Sequence, residues 1–579
     1  MNAIFKRAAN RRQHSSQHSQ KHAYGALEDR RMLATFIVTT VADSNTDTTD
    51  GLISLREAIQ AANTNTAFGD AEAGDADGDV IRFATSLNGQ TLNLSLGQIE
   101  ISDDLRIQGG AGNITITGNG NNRFFNVNST ELVGFSKLTF TGGQAAQGGA
   151  IASLGTGTTL ITESTFTINR ASGVGGGAVH NANGNMFLID STFTNNSAND
   201  TNGRGGAVYA ASGLIYSNGS TFTSNTATLS GGAIEVVDGS FYAIDIQLGG
   251  TSEARNQAGF SGTSDLGKGG ALSISGSATA TISGGEISSN TASQNGGAFW
   301  VGGSGNLFIR NNASINANES QGSSLGDGGG ALYVDGGSAY LNSVTISSNV
   351  AIGAEASGGG IIVEGGKAIL NNTTVANNET RRMGGGIKIT DGFLLLNNSE
   401  VIGNDVGTTY TSTTGYGGGL YIAGTASVVI NDGQVGNNAT ITEGGGIWAD
   451  TSTQTFIRNG GSVSFNSLSG SNTLGGGIYT KGYLQSLDSF FQRNESEAQG
   501  GGIFFAGSAT GRINNGSFSQ NSTGQLGAGI YNNGFMFVTN SVFSSNVAGI
   551  NGGAFFSSVD ATSLQSNLTF NGNLPNNNN

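Results

Sequence analysis

Side chains able to do chemistry are few in this chain and scattered along it. The densest carboxylates lie in GDAEAGDADGDVI, where Asp70, Glu72, Asp75, Asp77 and Asp79 alternate with small residues. Alternate carboxylates in a glycine-containing loop offer hard oxygen donors to Ca²⁺, with Asp75, Asp77 and Asp79 as the candidate ligands. The second half of an EF-hand loop, with its bidentate Glu, is missing, so a solvated acidic turn is the alternative reading. Three of the four histidines, His14, His18 and His22, sit in a basic polar leader that reads as disordered. The richest mixed-charge patch, Glu364, Lys367, Arg381, Arg382, Lys388 and Asp391, spans two neighbouring repeats; it reads as a salt-bridged surface, and were the chain an enzyme a catalytic site would be sought there.

The composition narrows the chemistry further. A net charge of −15 with 11% charged residues supplies no basic footprint for nucleic acid. The absence of cysteine removes disulfides, thiolate catalysis and Cys-based zinc together. No apolar run reaches the roughly 18 residues of a membrane-spanning helix. The 97 glycines, against one proline, point to a uniform repeated architecture.

That repeat is visible when the chain is aligned on itself. A Gly-Gly-(Ala or Gly)-apolar motif occurs about fifteen times between Gly148 and Phe556, on average about 29 residues apart, a period typical of solenoids. About 15 residues after each motif comes an apolar residue, two variable residues and Asn, as at Phe166 with Asn169. The Asn positions include Asn169, Asn196, Asn225, Asn290, Asn349, Asn378, Asn521 and Asn546. Between the two motifs, apolar and small polar residues alternate with strand periodicity. These features predict an all-β fold, a right-handed parallel β-helix of about 18–20 coils with a short N-terminal capping helix. Asn suits the bend, because it tolerates left-handed backbone, and its amide can bond to the Asn of the next coil. Residues 245–268 lack the Asn motif and read as an irregular coil.

The elements that must position a site follow from this. Residues 52–63, LISLREAIQAAN, read as a helix with Ser54 and Glu57 as its capping box and Leu55, Ala58, Ile59 and Ala62 on one face. The helix is expected to cover the open end of the first coil. The chain divides into a leader (1–34), a cap with the first coils (35–133), the repeat β-helix (134–556), and last strands with a polar tail (557–579).

In each glycine motif the first and third residues after the Ala or Gly should face inward, and the second outward. That second position is aromatic in nine of fifteen copies: Tyr209, Trp300, Tyr333, Tyr421, Trp448, Tyr479, Phe504, Tyr531 and Phe556. An exposed row of rings is a stacking platform for sugars or for a partner's apolar surface. The alternative is that the rings stack on one another, or are covered by loops, and only stabilise the sheet. Variable loops of 8 to 15 residues precede this strand, among them 319–328 and 405–417, the latter bringing Tyr410 and Tyr416. Asp335, Glu364, Asp391 and Asp450 follow it as ordinary turn residues.

The paired motifs resemble the repeats of polymorphic outer membrane proteins, over about residues 134–556. The resemblance implies a surface-exposed or secreted β-helix, often an adhesin. The C-terminal SNLTFNGNLPNNNN carries no autotransporter barrel, so another export route or a processed product is expected. LISLREA resembles the CSLREA domain of bacterial and archaeal surface proteins, with Ile53 at the position of the name-giving Cys. LEDRRMLA, residues 27–34, resembles the LEPR-XLL element found near the start of large exported bacterial proteins.

Function is read accordingly as adhesive, structural or carbohydrate contact outside the cell or on its surface, without catalysis. The expected partners are a polysaccharide or a surface protein, with no nucleic acid, and no cofactor is required beyond the Ca²⁺ considered above. The alternative is a polysaccharide lyase or glycoside hydrolase of the pectate-lyase-like β-helix type. A glycosidase needs two carboxylates within about 10 Å. The charged outward residues Glu235 and Lys388 are five repeats apart, about 24 Å at the spacing of paired strands, and cannot share one site.

Overall fold

Each repeat closes into one coil because its apolar residues fall in short alternating runs separated by residues that accept left-handed backbone. The computed structural model describes residues 33–118, 120, 122–259, 266–407 and 414–575. His14, His18, His22, Tyr410 and most of LEDRRMLA lie outside these residues. In a representative coil, Leu332–Asp335 follows the glycine motif, Ser338–Asn342 makes a longer strand, Thr345–Ser347 a third, and Val350–Ala351 a two-residue fourth. Each strand pairs in parallel with its equivalent in the next coil, as Leu332–Asp335 does with Ile361–Glu364. The result is a parallel β-helix of about 18 coils. Its long strands form one 19-stranded sheet, here the long-strand face. The strands after the glycine pairs form the glycine-strand face.

Glycine is required at the corner for two reasons. Gly329 has φ +66°, and a Cβ on Gly330 would sit 2.2 Å from the Gly359 carbonyl oxygen of the next coil. Inside, Leu332 and Val334 are fully buried, as are Ala331 and Ile346, and equivalent residues stack coil on coil into one continuous core. Phe140, Phe166, Phe193 and Phe222 form such a stack, with centroids 4.6 to 4.8 Å apart.

The asparagine ladder runs without a break from Asn169 to Asn573. Asn349 shows its chemistry: Nδ2 donates to Asn378 Oδ1 at 2.9 Å and to the Ile315 carbonyl at 3.1 Å, and its backbone N–H donates to the same Oδ1 at 3.0 Å. Two expectations are corrected here. Asn256 fills the ladder in the supposedly irregular coil 245–268, accepting from Asn225 and donating to Asn290 Oδ1 at 2.9 Å. The left-handed residue is the one before the ladder Asn, such as Ser348 at φ +56°, while the Asn itself points inward as a fully buried hydrogen-bonding group.

The helix spans Leu55–Thr64, with both bonds of the Ser54–Glu57 capping box formed. Leu55, Ala58, Ile59 and Ala62 join the same core as Val38 and Ile81, so the helix covers the end of the first coils. The Arg56 guanidinium pins it to Asp43 at 2.7 Å. Among the described residues, no helix is long and apolar enough to cross a membrane.

Candidate functional site: two rows of rings outside the core

The nine rings after the glycine motifs do point away from the core, but they are not an open platform. Trp448 and Tyr479 are each 6% exposed, and Tyr333, Phe504 and Tyr531 are also buried. Tyr209, Trp300, Tyr421 and Phe556 are half-buried. The physical reason is the chain leading into each glycine pair: its Tyr416, Leu474 and Leu526 pack against the rings and form a second apolar cluster outside the core. From Tyr421 to Phe556 the rings also lie face to face, 4.5 to 6.1 Å apart, so each ring covers its neighbour's face. Trp448 Nε1 donates to Glu443 Oε2 at 2.8 Å, which satisfies its one polar group. Self-stacking beneath a covering segment therefore describes the six rings from Tyr421 to Phe556.

Toward the N-terminus the same row turns polar. Glu235 is fully buried; its Oε1 accepts from Ser275 Oγ at 3.2 Å and lies 3.5 Å from the Arg204 guanidinium, and Ser273 and Ser230 also face the carboxylate. Burial raises its carboxyl pKa above the usual range, against the pull of Arg204. His180 stacks on Tyr209 at 5.3 Å, and burial, with Arg123 nearby, pushes its imidazole down to about 4. The Tyr333 hydroxyl donates to Glu364, and burial raises its phenol pKa. Lys388 reaches back to the Leu325 carbonyl at 3.3 Å, and burial lowers its ammonium.

The mixed-charge patch assembles only in part: Glu364, which accepts from the Tyr333 hydroxyl, lies near enough to Lys388 to favour its charged form, and the other side chains separate. Lys388 is buried beneath the loop that carries Leu325, Lys367 lies 5.5 Å above the Tyr340 ring on the long-strand face, and Arg382 pairs with Glu355 at 3.1 Å. Asp391 Oδ1 accepts from the backbone and hydroxyl of Thr425. These side chains serve four separate neighbourhoods.

The acidic loop is likewise divided. Asp75 Oδ1 accepts the Asp77 backbone N–H at 3.2 Å, and the Asp75 N–H donates to Asp79 Oδ1 at 3.0 Å, which is turn chemistry. Asp79 is fully buried with Oδ2 unpartnered, and burial raises its carboxyl to about 6, with Asp103, Asp75 and Asp104 adding to the rise. Among the described residues, no group of three or more His, Asp or Glu side chains is placed to hold a metal ion.

The feature missed in the sequence is a second row, on the long-strand face. From Leu160 to Leu564 the middle residue of each long strand points outward, giving the rings Phe187, Tyr216, Tyr242, Phe308, Tyr340, Phe456 and Phe537, the aliphatic Leu160, Ile369, Leu395, Val429 and Leu564, and the polar Thr281, Gln485 and Arg512. Among the rings and aliphatic side chains, Phe308 and Phe537 are each 37% exposed and Leu564 is also exposed, Val429 is buried, and the other eight are half-buried. Phe308 and Tyr340 stack at 4.7 Å with 7° between planes. The row lies six to eight residues after the second position of each glycine motif, an offset that would have revealed it.

Fold and surface together define a parallel β-solenoid with one roofed and one open row of side chains. No family model, no curated protein and no solved structure matches the chain.

Proposed function

We propose that this chain is a non-catalytic contact protein, secreted or held at the cell surface, and that its long-strand face meets a polysaccharide or another surface protein. The observation that carries the reading is the open row on that face. It runs over fifteen coils, from Leu160 to Leu564, and in twelve of them presents a ring or an aliphatic side chain on the outer side of the sheet. At a strand spacing of about 4.8 Å the row is roughly 65 Å long, and a mainly apolar, partly exposed face of that length, interrupted at Thr281, Gln485 and Arg512, marks a contact surface rather than incidental exposure. The dispersal of the charged residues supports a role without catalysis. The cysteine-free composition and the resemblance of the repeats to those of surface proteins support a place outside the cell.

The test is a binding screen of the full chain on a glycan array and against intact cell surfaces, repeated with Phe308→Ala plus Tyr340→Ala. The proposal expects a ligand whose signal falls at least about tenfold in the double variant while the circular dichroism spectrum is retained. A ligand bound equally well by the variant would place contact elsewhere on the molecule.

A further inference from the structure

The charge on the long-strand face runs against the charge of the chain. The protein carries −15 overall, yet the strands of this sheet contain six cations, Arg82, Arg106, Arg310, Lys367, Arg458 and Arg512, and one carboxylate, Asp79. Asp79 is buried beneath the capping region, so the open row itself includes no acid in its strands. The acids nearest in sequence occupy the turn after the strand, such as Asp432 and Asp488, and Asp488 Oδ1 is engaged by Asn515 at 2.7 Å.

Of two hollows among the described residues of this face, the smaller lies around Arg106 and Leu160 and the larger near the C-terminal end. Tyr483, Thr510 and Phe535 are adjacent in register, so the short Thr510 leaves a gap between two rings, about 9.6 Å apart along the helix at two strand spacings. Arg512 and Phe537 flank the gap, enclosing about 350 Å³, which falls at the lower end of ligand pockets. The Arg512 guanidinium is exposed and, among the described residues, makes no ion pair or hydrogen bond. Upstream the pattern recurs: Thr281 separates Tyr242 from Phe308, and Arg310 lies beside them, its guanidinium donating to the Tyr242 hydroxyl at 3.2 Å.

From this geometry we infer that the long-strand face binds an acidic polysaccharide, with one uronate residue held between Tyr483 and Phe535 and its carboxylate on Arg512. The inference rests on the contact function proposed above and names the ligand class. Ring faces and edges suit the apolar face of a sugar, and a guanidinium matches a carboxylate in a forked pair of hydrogen bonds. Rows of hydroxyls and amides border the rings, as at Ser338 and Asn342, and these suit sugar hydroxyls better than a lipid surface.

The experiment is calorimetric titration of the full chain with oligogalacturonate and with its methyl-esterified form, which keeps the ring and removes the charge. Phosphatidylglycerol vesicles form a third arm. The inference expects the free acid to bind at least about tenfold tighter than the ester, and this preference to weaken with added salt. Arg512→Gln should reduce acid affinity by about tenfold or more, leave ester binding and the thermal midpoint unchanged, and be partly rescued by Arg512→Lys. Equal binding of acid and ester, or an acid affinity indifferent to Arg512→Gln, overturns the inference while the contact function stands. Binding of the vesicles with neither saccharide also overturns it. Loss of all ligands in the array and cell-surface screen is the separate result that would remove the contact function itself.

Discussion

The two rows of rings differ in what lies above them. On the glycine-strand face, Tyr416, Leu474 and Leu526 from the segments entering the glycine pairs pack on the rings, and Trp448, Tyr479, Phe504 and Tyr531 become a small second core. On the long-strand face no loop intervenes between consecutive rings, and Phe308, Tyr340 and Phe537 keep contact with water. Both rows stack at the spacing imposed by the coils. One therefore stabilises the solenoid, and the other is left free to meet a partner. An outward-pointing side chain is not thereby an exposed one, and the covering segment decides which.

The comparison breaks first on stability. Trp448→Ala removes a buried ring that contacts rings on both sides and should cost about 3–5 kcal/mol, read as a fall in the urea midpoint. Phe308→Ala, on the open row, should cost less than about 1 kcal/mol in the same assay. Equal losses would mean that the open row is also structural. Between these lies the inner ladder: Asn349→Ala leaves the Ile315 carbonyl and the Asn318 amide without their partner and should cost about 1–3 kcal/mol.

A third test concerns the one carboxylate of the long-strand sheet. Asp79 has its pKa raised in the fold to about 6 from 3.8, so the folded state holds a proton that the unfolded chain releases. Stability contributed by the protonated form is then present at low pH and lost as pH rises through that window. Asp79→Asn should flatten this dependence, with a gain on the order of 1–2 kcal/mol at pH 7.5 relative to wild type and little difference near pH 3.5. Thermal melts across pH measure it, and a gain that is the same at both pH values would contradict the assignment.

The smallest effect is local. Ile168 adopts φ +57°, a conformation that a β-branched residue resists, where other coils place Asn195, Ser224 or Asn377. Ile168→Asn should raise stability by about 1 kcal/mol, seen as a small upward shift in the melting midpoint.

Much of the fold was legible in the sequence because a parallel β-helix stacks like on like. A requirement met at Gly329 or Asn349 is repeated in every coil, so the glycine pair and the Asn appear as motifs. Asn256 escaped because its coil is lengthened and an apolar residue does not stand three positions earlier. The site was less legible. Alternation separates inward from outward residues, which placed Leu332 inside and Tyr333 outside, but it says nothing about the chain that folds over Tyr333. The open row was hidden for the opposite reason. Its members, from Leu160 through Tyr216 and Thr281 to Arg512, share a direction and not a chemistry, because water and a ligand impose a looser requirement than a packed corner.

The most direct measurement of the division between the two rows is a paired one. Tyr340→Ala and Trp448→Ala proteins are each assayed for thermal midpoint and, below that midpoint, for affinity toward the ligand found in the array. The account predicts that Tyr340→Ala loses affinity by about tenfold with its midpoint nearly unchanged, and that Trp448→Ala loses its midpoint with affinity retained. Loss of affinity in Trp448→Ala, with Tyr340→Ala binding as the wild type does, would contradict it.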